Sequence, residues 1–225
     1  CGAPSTPILR TFARSSRQVT CVLAPGRAQA FLFSPDCWHL SLLLLRSPDA
    51  AFCEQLFSAR ALHQRLRCSV MKSVQTQASH QVITPEEWEL AREALIVLAV
   101  RYAPEPECRP IVTQLCHALA ALAAKMEAWS CDTLVHDLAQ ALGSAPLALA
   151  EALRVLPEEI ESKALSCHPD RRAQVRGALQ ASTRRALDIL DELWQHALSQ
   201  ADSRLAVAAL QATADHVQAA ERLRE

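Results

Sequence analysis

The stretch Pro110-Ile-Val-Thr-Gln-Leu-Cys-His-Ala-Leu-Ala-Ala-Leu-Ala-Ala-Lys-Met-Glu-Ala-Trp129 carries the pattern that decides the fold. Its larger apolar residues recur at three-and-four spacing, which is the period of one face of an α-helix. They are Ile111, Val112, Leu115, Leu119, Leu122 and Met126. Alanine, the strongest helix former, fills many of the positions between them. The stretch therefore predicts a long helix with a broad apolar face.

The composition of the whole chain favours an all-α fold. Of the 225 residues, 50% are hydrophobic but only 4% are aromatic, and alanine and leucine carry the apolar content. Strands would favour β-branched and aromatic residues instead. The net charge is −1, so charge gives no reason to expect a nucleic-acid or anionic-membrane partner. No apolar run reaches the roughly 18 residues that a membrane-spanning helix needs.

Capping signals on both sides of this stretch predict further helices. Thr84-Pro85-Glu86-Glu87 combines a capping residue, proline at the first position and acids in the first turn. Gly143 is expected to end one helix as a C-terminal cap, and Pro157 is expected to interrupt another. The helices pair along the chain as 36–46 with 51–67, 84–103 with 110–128, 130–142 with 146–156, and 170–199 with 203–224.

Paired helices of this length predict a repeat architecture. HEAT units recur at roughly 40 to 47 residues as antiparallel helix pairs, and Trp88 and Trp129 are 41 positions apart. We predict an all-α, right-handed solenoid of HEAT-like pairs over residues 27–225, and a poorly ordered or non-native segment over residues 1–26. An irregular helical bundle fits the periodicity equally well.

Three segments give the chain a resemblance to a known family. They are Trp38–Asp49 with the following Phe57-Ser-Ala-Arg-Ala-Leu-His-Gln-Arg-Leu, then Ile111-Val-Thr-Gln-Leu with Ala-Leu-Ala-Ala-Leu-Ala, and then Val155-Leu-Pro-Glu-Glu. In this order they resemble the amino-terminal arch of importin-β-type nuclear transport receptors, specifically the transportin-SR branch. Because those receptors have around twenty repeats and this chain begins at Cys1, we expect a fragment of a longer receptor.

The resemblance implies a non-catalytic nuclear import receptor that shuttles between cytoplasm and nucleus. Its implied partners are Ran-GTP, protein cargo that includes arginine/serine-rich splicing factors, and nucleoporins. Two other classes of function stay open. One is a generic helical-repeat scaffold that does not bind Ran, and the other is a co-chaperone using His168-Pro169-Asp170, the tripeptide of J-domains.

Polar side chains on the second helix of two predicted pairs are the candidate partner-facing residues. Such helices line the concave face of HEAT arches, and the spacing places the polar residues of each helix on one face. The candidates are Arg60, His63, Gln64 and Arg67 on one helix, and Gln114, His117 and Lys125 on the next. An ordinary solvated helix face explains the same pattern.

The sequence predicts no catalytic, cofactor-binding or metal site. Cys131, His136, Cys167 and His168 lack the close ligand pairs typical of zinc sites. The nine cysteines include no Cys-x-x-Cys pair, which indicates reduced, intracellular thiols rather than a disulfide framework. Only four glycines are present, so phosphate-binding loops are nearly excluded.

Overall fold

The computed structural model describes residues 31–32, 34, 36–68 and 85–222, and every regular element in these ranges is helical. The segment 1–26, predicted to be poorly ordered or non-native, lies outside the described residues, and so does the polar segment 69–82, which the sequence predicts to be a linker. The α-helices are α1 (Cys37–Arg46), α2 (Phe52–Cys68), α3 (Pro85–Tyr102), α4 (Arg109–Lys125), α5 (Leu134–Leu142), α6 (Pro146–Glu161), α7 (Pro169–Ser199) and α8 (Ser203–Arg222). None of these helices combines the length and apolar character needed to cross a membrane.

The helices pack in sequential pairs that stack on one another. Helix α1 packs on α2, α3 on α4, α5 on α6, and α7 on α8. The second helices of the pairs lie side by side in the order α2, α4, α6, α8 and form one layer. Stacking of this kind lets each pair bury an apolar face that it cannot bury alone. The arrangement confirms the predicted all-α fold and its helix pairing, and it is consistent with a HEAT-like solenoid.

Helix α4 is the most deeply buried element of the layer. It contacts α2, α3, α6 and α7, and 12 of its 17 residues are buried. Its alanines make this possible, because small side chains let neighbouring helix backbones approach from several directions. The alanine-rich stretch that opened the sequence is therefore the centre of the core.

Two consecutive arginines at the start of α7 cap the ends of two other helices. The last carbonyl groups of a helix have no partner within that helix. Arg171 donates to the main-chain oxygens of Met126 and Trp129, both at 2.7 Å, just beyond the end of α4. Arg172 donates to the main-chain oxygen of Ser162 at 3.0 Å, just beyond the end of α6. These bonds join the α7–α8 pair to the two pairs before it.

The structure corrects two expectations about helix ends. Pro157 does not interrupt α6, which continues to Glu161 between α4 and α8, because packing on both neighbours overrides the missing N–H. Helix α5 begins at Leu134 rather than Ser130. Gly143 follows the last residue of α5 as its C-terminal cap, as predicted, and keeps right-handed backbone angles with φ −58°. A Cβ there would lie 2.9 Å from the Ala139 carbonyl oxygen, so space rather than backbone conformation requires glycine.

A residue with left-handed backbone angles ends a different helix. It is Ala201, between α7 and α8. Its φ is 53°, in the region that costs an L-residue about 1–2 kcal/mol. The Asp202 N–H donates to the Ala197 carbonyl at 2.9 Å and the Ala201 N–H donates to the Leu198 carbonyl at 3.2 Å. These two bonds form a Schellman motif, in which glycine is the usual left-handed residue.

Replacing Ala201 by glycine should stabilise the protein by about 0.5–1 kcal/mol. Relief of the left-handed strain exceeds the entropy that glycine adds to the unfolded chain. Urea denaturation followed by circular dichroism measures the change. The matched control is Ala181→Gly at an exposed position inside α7, which should destabilise by about 1 kcal/mol. Equal destabilisation by both changes would contradict the prediction.

Candidate functional site

The carboxylate of Glu159 on α6 lies at the centre of a buried polar cluster. Its Oε2 is 3.1 Å from His63 Nε2 on α2 and 3.1 Å from His117 Nδ1 on α4. Its Oε1 accepts from Arg67 Nε at 2.7 Å. Gln114 Oε1 is 3.3 Å from His63 Nδ1. We call these five residues the Glu159 node, which joins three helices of one layer.

Helical spacing explains why these side chains meet. His63 and Arg67 are four positions apart on α2, and Gln114 and His117 are three positions apart on α4, so each pair shares a face. The rings of His63 and His117 stack with their centroids 5.0 Å apart. His63, Arg67 and His117 reach the same carboxylate because α2 and α6 flank α4 in the layer, and Gln114 contacts His63.

The node keeps Glu159 ionised although the side chain is fully buried. Burial by itself would raise the pKa of this carboxyl. Hydrogen bonds from His117, His63 and Arg67, together with the charge of His63, hold the pKa of Glu159 well below its ordinary value of 4.5. The buried charge is therefore compensated by donors on two neighbouring helices.

Lys125, at the end of α4, uses its ammonium group to cap α2. Its Nζ donates to the carbonyl oxygens of Leu66 and Arg67. Only 4% of the residue is exposed, and burial lowers its pKa from 10.5 to about 8. A lysine in this position supports the end of a helix.

The structure brings together five of the seven candidate partner-facing residues, but not as one open polar stripe. His63 and Lys125 are buried, and Gln114, His117 and Arg67 are partly buried. The polar faces of α2 and α4 are therefore partly buried against each other rather than fully open to solvent. The two remaining candidates, Arg60 and Gln64, are exposed on α2 and stand outside the Glu159 node.

A polar groove lies beside the node, between α6 and α8. It has a volume of about 480 Å³, and Arg67, whose guanidinium binds Glu159, forms part of its wall. The other charged residues of its wall are Arg154, Arg222, Glu158, Glu161 and Asp215. Both signs of charge are present, so the groove suits a partner surface that also carries both signs.

His168-Pro169-Asp170 is the start of a helix in this structure. Pro169 is the first residue of α7, and His168 precedes it with its side chain accepting from the Asp170 N–H. Cys167, one of the four side chains considered for zinc, donates through Sγ to the Ala124 carbonyl oxygen at 3.0 Å. Both sequence features therefore have a structural role at the α6–α7 connection.

Sequence reasoning did not single out Glu159 as a functional residue. It lies 96 residues from His63 and 42 residues from His117, so no local spacing connects them. The only local signal was the pair of acidic residues that follows Pro157 in the Val155-Leu-Pro-Glu-Glu motif. Glu158 of this motif is exposed and Glu159 is buried, and only the packing of α6 distinguishes them.

Comparison with protein families gives one match. The family described as Exportin 1-like protein matches residues 109–221, which is half of the chain. The match begins at the first residue of α4 and extends into α8. It thus includes Gln114, His117 and Glu159 of the node and most of the groove. No curated protein matches the chain significantly.

Removing the Glu159 carboxylate should strongly destabilise the fold. Glu159→Ala leaves Arg67 and two histidines without their shared acceptor, and breaking a buried charge pair in this way costs about 3–5 kcal/mol. Urea denaturation measures the free energy of unfolding. The matched control is Glu158→Ala, the exposed neighbour on the same helix, which should change stability by less than about 0.5 kcal/mol. Similar effects of the two changes would refute the assigned role.

The stability difference between the native chain and Glu159→Gln should depend on pH. The folded-state pKa of Glu159 is lowered below 4.5. The carboxylate's contribution is therefore fully present above that value and is lost as pH falls through the folded-state pKa. Urea denaturation at several pH values should show the two curves converging in acid. A difference that stays constant from about pH 7 to about pH 3 would rule out a lowered pKa.

Proposed function

We propose that this chain, which belongs to the Exportin 1-like protein family of importin-β/karyopherin nuclear transport receptors, binds Ran-GTP and protein cargo through its α2–α4–α6–α8 layer during nuclear import. Family membership makes the protein a nuclear transport receptor and not an enzyme. It also implies shuttling between cytoplasm and nucleus. Ran-GTP, the cargo and the import direction belong to the proposal.

The observation that carries the proposal is the layer of second helices with a charged groove along it. Helices α2, α4, α6 and α8 lie side by side, and in HEAT arches the second helices form the concave face. Arg60 and Gln64 are exposed on α2, and the groove between α6 and α8 presents charges of both signs. A GTPase surface that carries charges of both signs matches such a groove better than nucleic acid does.

A stack of helix pairs also supports the exchange of two partners. Each pair contacts chiefly its neighbours, so small rotations between pairs add up to a change in curvature. Two ligands that favour different curvatures weaken each other's binding by the same factor. On this proposal Ran-GTP displaces cargo inside the nucleus.

The import direction and the cargo follow from the resemblance to the transportin-SR branch. Val155-Leu-Pro-Glu-Glu is the most distinctive segment of that resemblance, and it lies on α6. We infer from it that cargo includes arginine/serine-rich splicing factors and that nucleoporins are partners during passage.

Binding to Ran loaded with a non-hydrolysable GTP analogue, compared with Ran-GDP, tests the proposal. The full chain should bind the GTP form selectively in biolayer interferometry. The double change Arg60→Glu and Gln64→Glu should weaken binding at least about tenfold, because it places acids on an exposed contact face. Arg67 is unsuitable for this test, since it holds the buried carboxylate of Glu159.

Arg184→Glu is the matched control for the charge reversal. Arg184 lies on α7 in the other layer, and 89% of its side chain is exposed. Binding by this variant should equal that of the native chain. If the folded native chain binds neither nucleotide form, the Ran proposal is wrong and a generic scaffold explains the fold. If the control weakens binding as much as the double change, α2 is not the contact.

A further inference from the structure

We propose that Glu159, His63 and His117 form a binding site for a divalent transition-metal ion, with Zn²⁺ as the expected occupant, between α6, α2 and α4. One carboxylate oxygen and two imidazole nitrogens lie within 4.8 Å of one another, and each comes from a different helix. Imidazole nitrogen and carboxylate oxygen are both zinc ligands. This inference does not depend on Ran binding.

The two distances from the Glu159 carboxylate are close to the ligand spacing around a single ion, and all three ligand atoms lie within 4.8 Å of one another. Glu159 Oε2 is 3.1 Å from His63 Nε2 and 3.1 Å from His117 Nδ1. Ligand atoms bound to zinc at about 2.0–2.2 Å in tetrahedral geometry lie about 3.3–3.6 Å apart. The two rings stack with 20° between their planes, so a rotation of one ring is needed for both lone pairs to face the ion.

Both hydrogen-bonding neighbours of the His63 ring are acceptors, which favours a cation at this place. Its Nδ1 faces Gln114 Oε1 at 3.3 Å and its Nε2 faces Glu159 Oε2 at 3.1 Å, and both neighbours are acceptors. A neutral imidazole has one N–H and satisfies one of them, whereas an imidazolium satisfies both. An ion beside Nε2 also satisfies both, because Nδ1–H then donates to Gln114 while the Nε2 lone pair and the carboxylate bind the metal.

The residues that contact the three ligands are placed as the second shell of a metal site would be. Metal-binding histidines usually donate their second N–H to an oxygen, as His63 does to Gln114 on this reading. Arg67 Nε holds Glu159 Oε1 at 2.7 Å, which leaves Oε2 for the ion. Three protein ligands leave a fourth tetrahedral position for water. The ion would bind three consecutive helices of the layer to one another.

Titration of the chelator-treated full chain with Co²⁺ tests the site. Cobalt bound to nitrogen and oxygen ligands should give visible absorption bands without the sulfur-to-metal charge-transfer band that cysteine ligands produce. One equivalent of Zn²⁺ should remove the bands, and the same Zn²⁺ should raise the thermal unfolding midpoint, because it binds the folded state.

Variants assign the absorption to the node. His117→Ala should abolish the cobalt bands, and Gln114→Leu, which keeps all three ligands, should weaken affinity about 10–100-fold. His136→Ala is the matched control, since His136 is exposed on α5 and should leave the bands unchanged. Circular dichroism in the absence of metal checks that each variant is folded.

Two results would overturn the proposal. The first is a folded native chain that gives no cobalt band and no zinc-dependent rise in unfolding temperature. The second is a band that persists in His117→Ala or shows sulfur charge transfer, which would place the metal on cysteines elsewhere. If His117→Ala does not fold, the native spectrum and the Gln114→Leu affinity decide the question by themselves.

Discussion

The packing of α2, α4 and α6 depends on the compensation of one buried charge, the carboxylate of Glu159. A buried carboxylate without partners is very unfavourable, so the helices can pack only where donors reach it. His63 and Arg67 on α2 and His117 on α4 are those donors. Apolar contacts between alanine- and leucine-rich helices tolerate several registers. The directional bonds to Glu159 distinguish one register from the others.

Main-chain capping extends this arrangement to the remaining pairs. Lys125 caps the end of α2, while Arg171 and Arg172 cap the ends of α4 and α6. Each of these cations comes from a later helix: Lys125 lies at the end of α4, and both arginines lie in the first turn of α7. The carbonyl groups left unpaired at one helix end therefore become an attachment point for a later pair. In a fold with mainly nearest-neighbour contacts, such bonds set the relative orientation of successive repeats.

Arg67 belongs both to the node and to the surface. Its guanidinium binds Glu159 and Ser162, and it also lines the groove between α6 and α8. A partner in that groove would therefore contact a residue that fixes the positions of three helices. Under the proposed function, this is a direct physical route from ligand binding to the curvature of the stack. All the contacts of this route are present in the structure.

The sequence by itself determined the helical fold class, the order of the helix pairs and the alanine-rich centre of the core, because helix propensity, capping residues and apolar period are local properties. It also identified His63, Arg67, Gln114 and His117 as polar residues sharing helix faces. Only the tertiary structure decided that these faces meet at Glu159, that α6 continues through Pro157, and that Arg171 caps the end of α4. Those outcomes depend on which helices become neighbours across 40 or more residues, and local spacing carries no information about that.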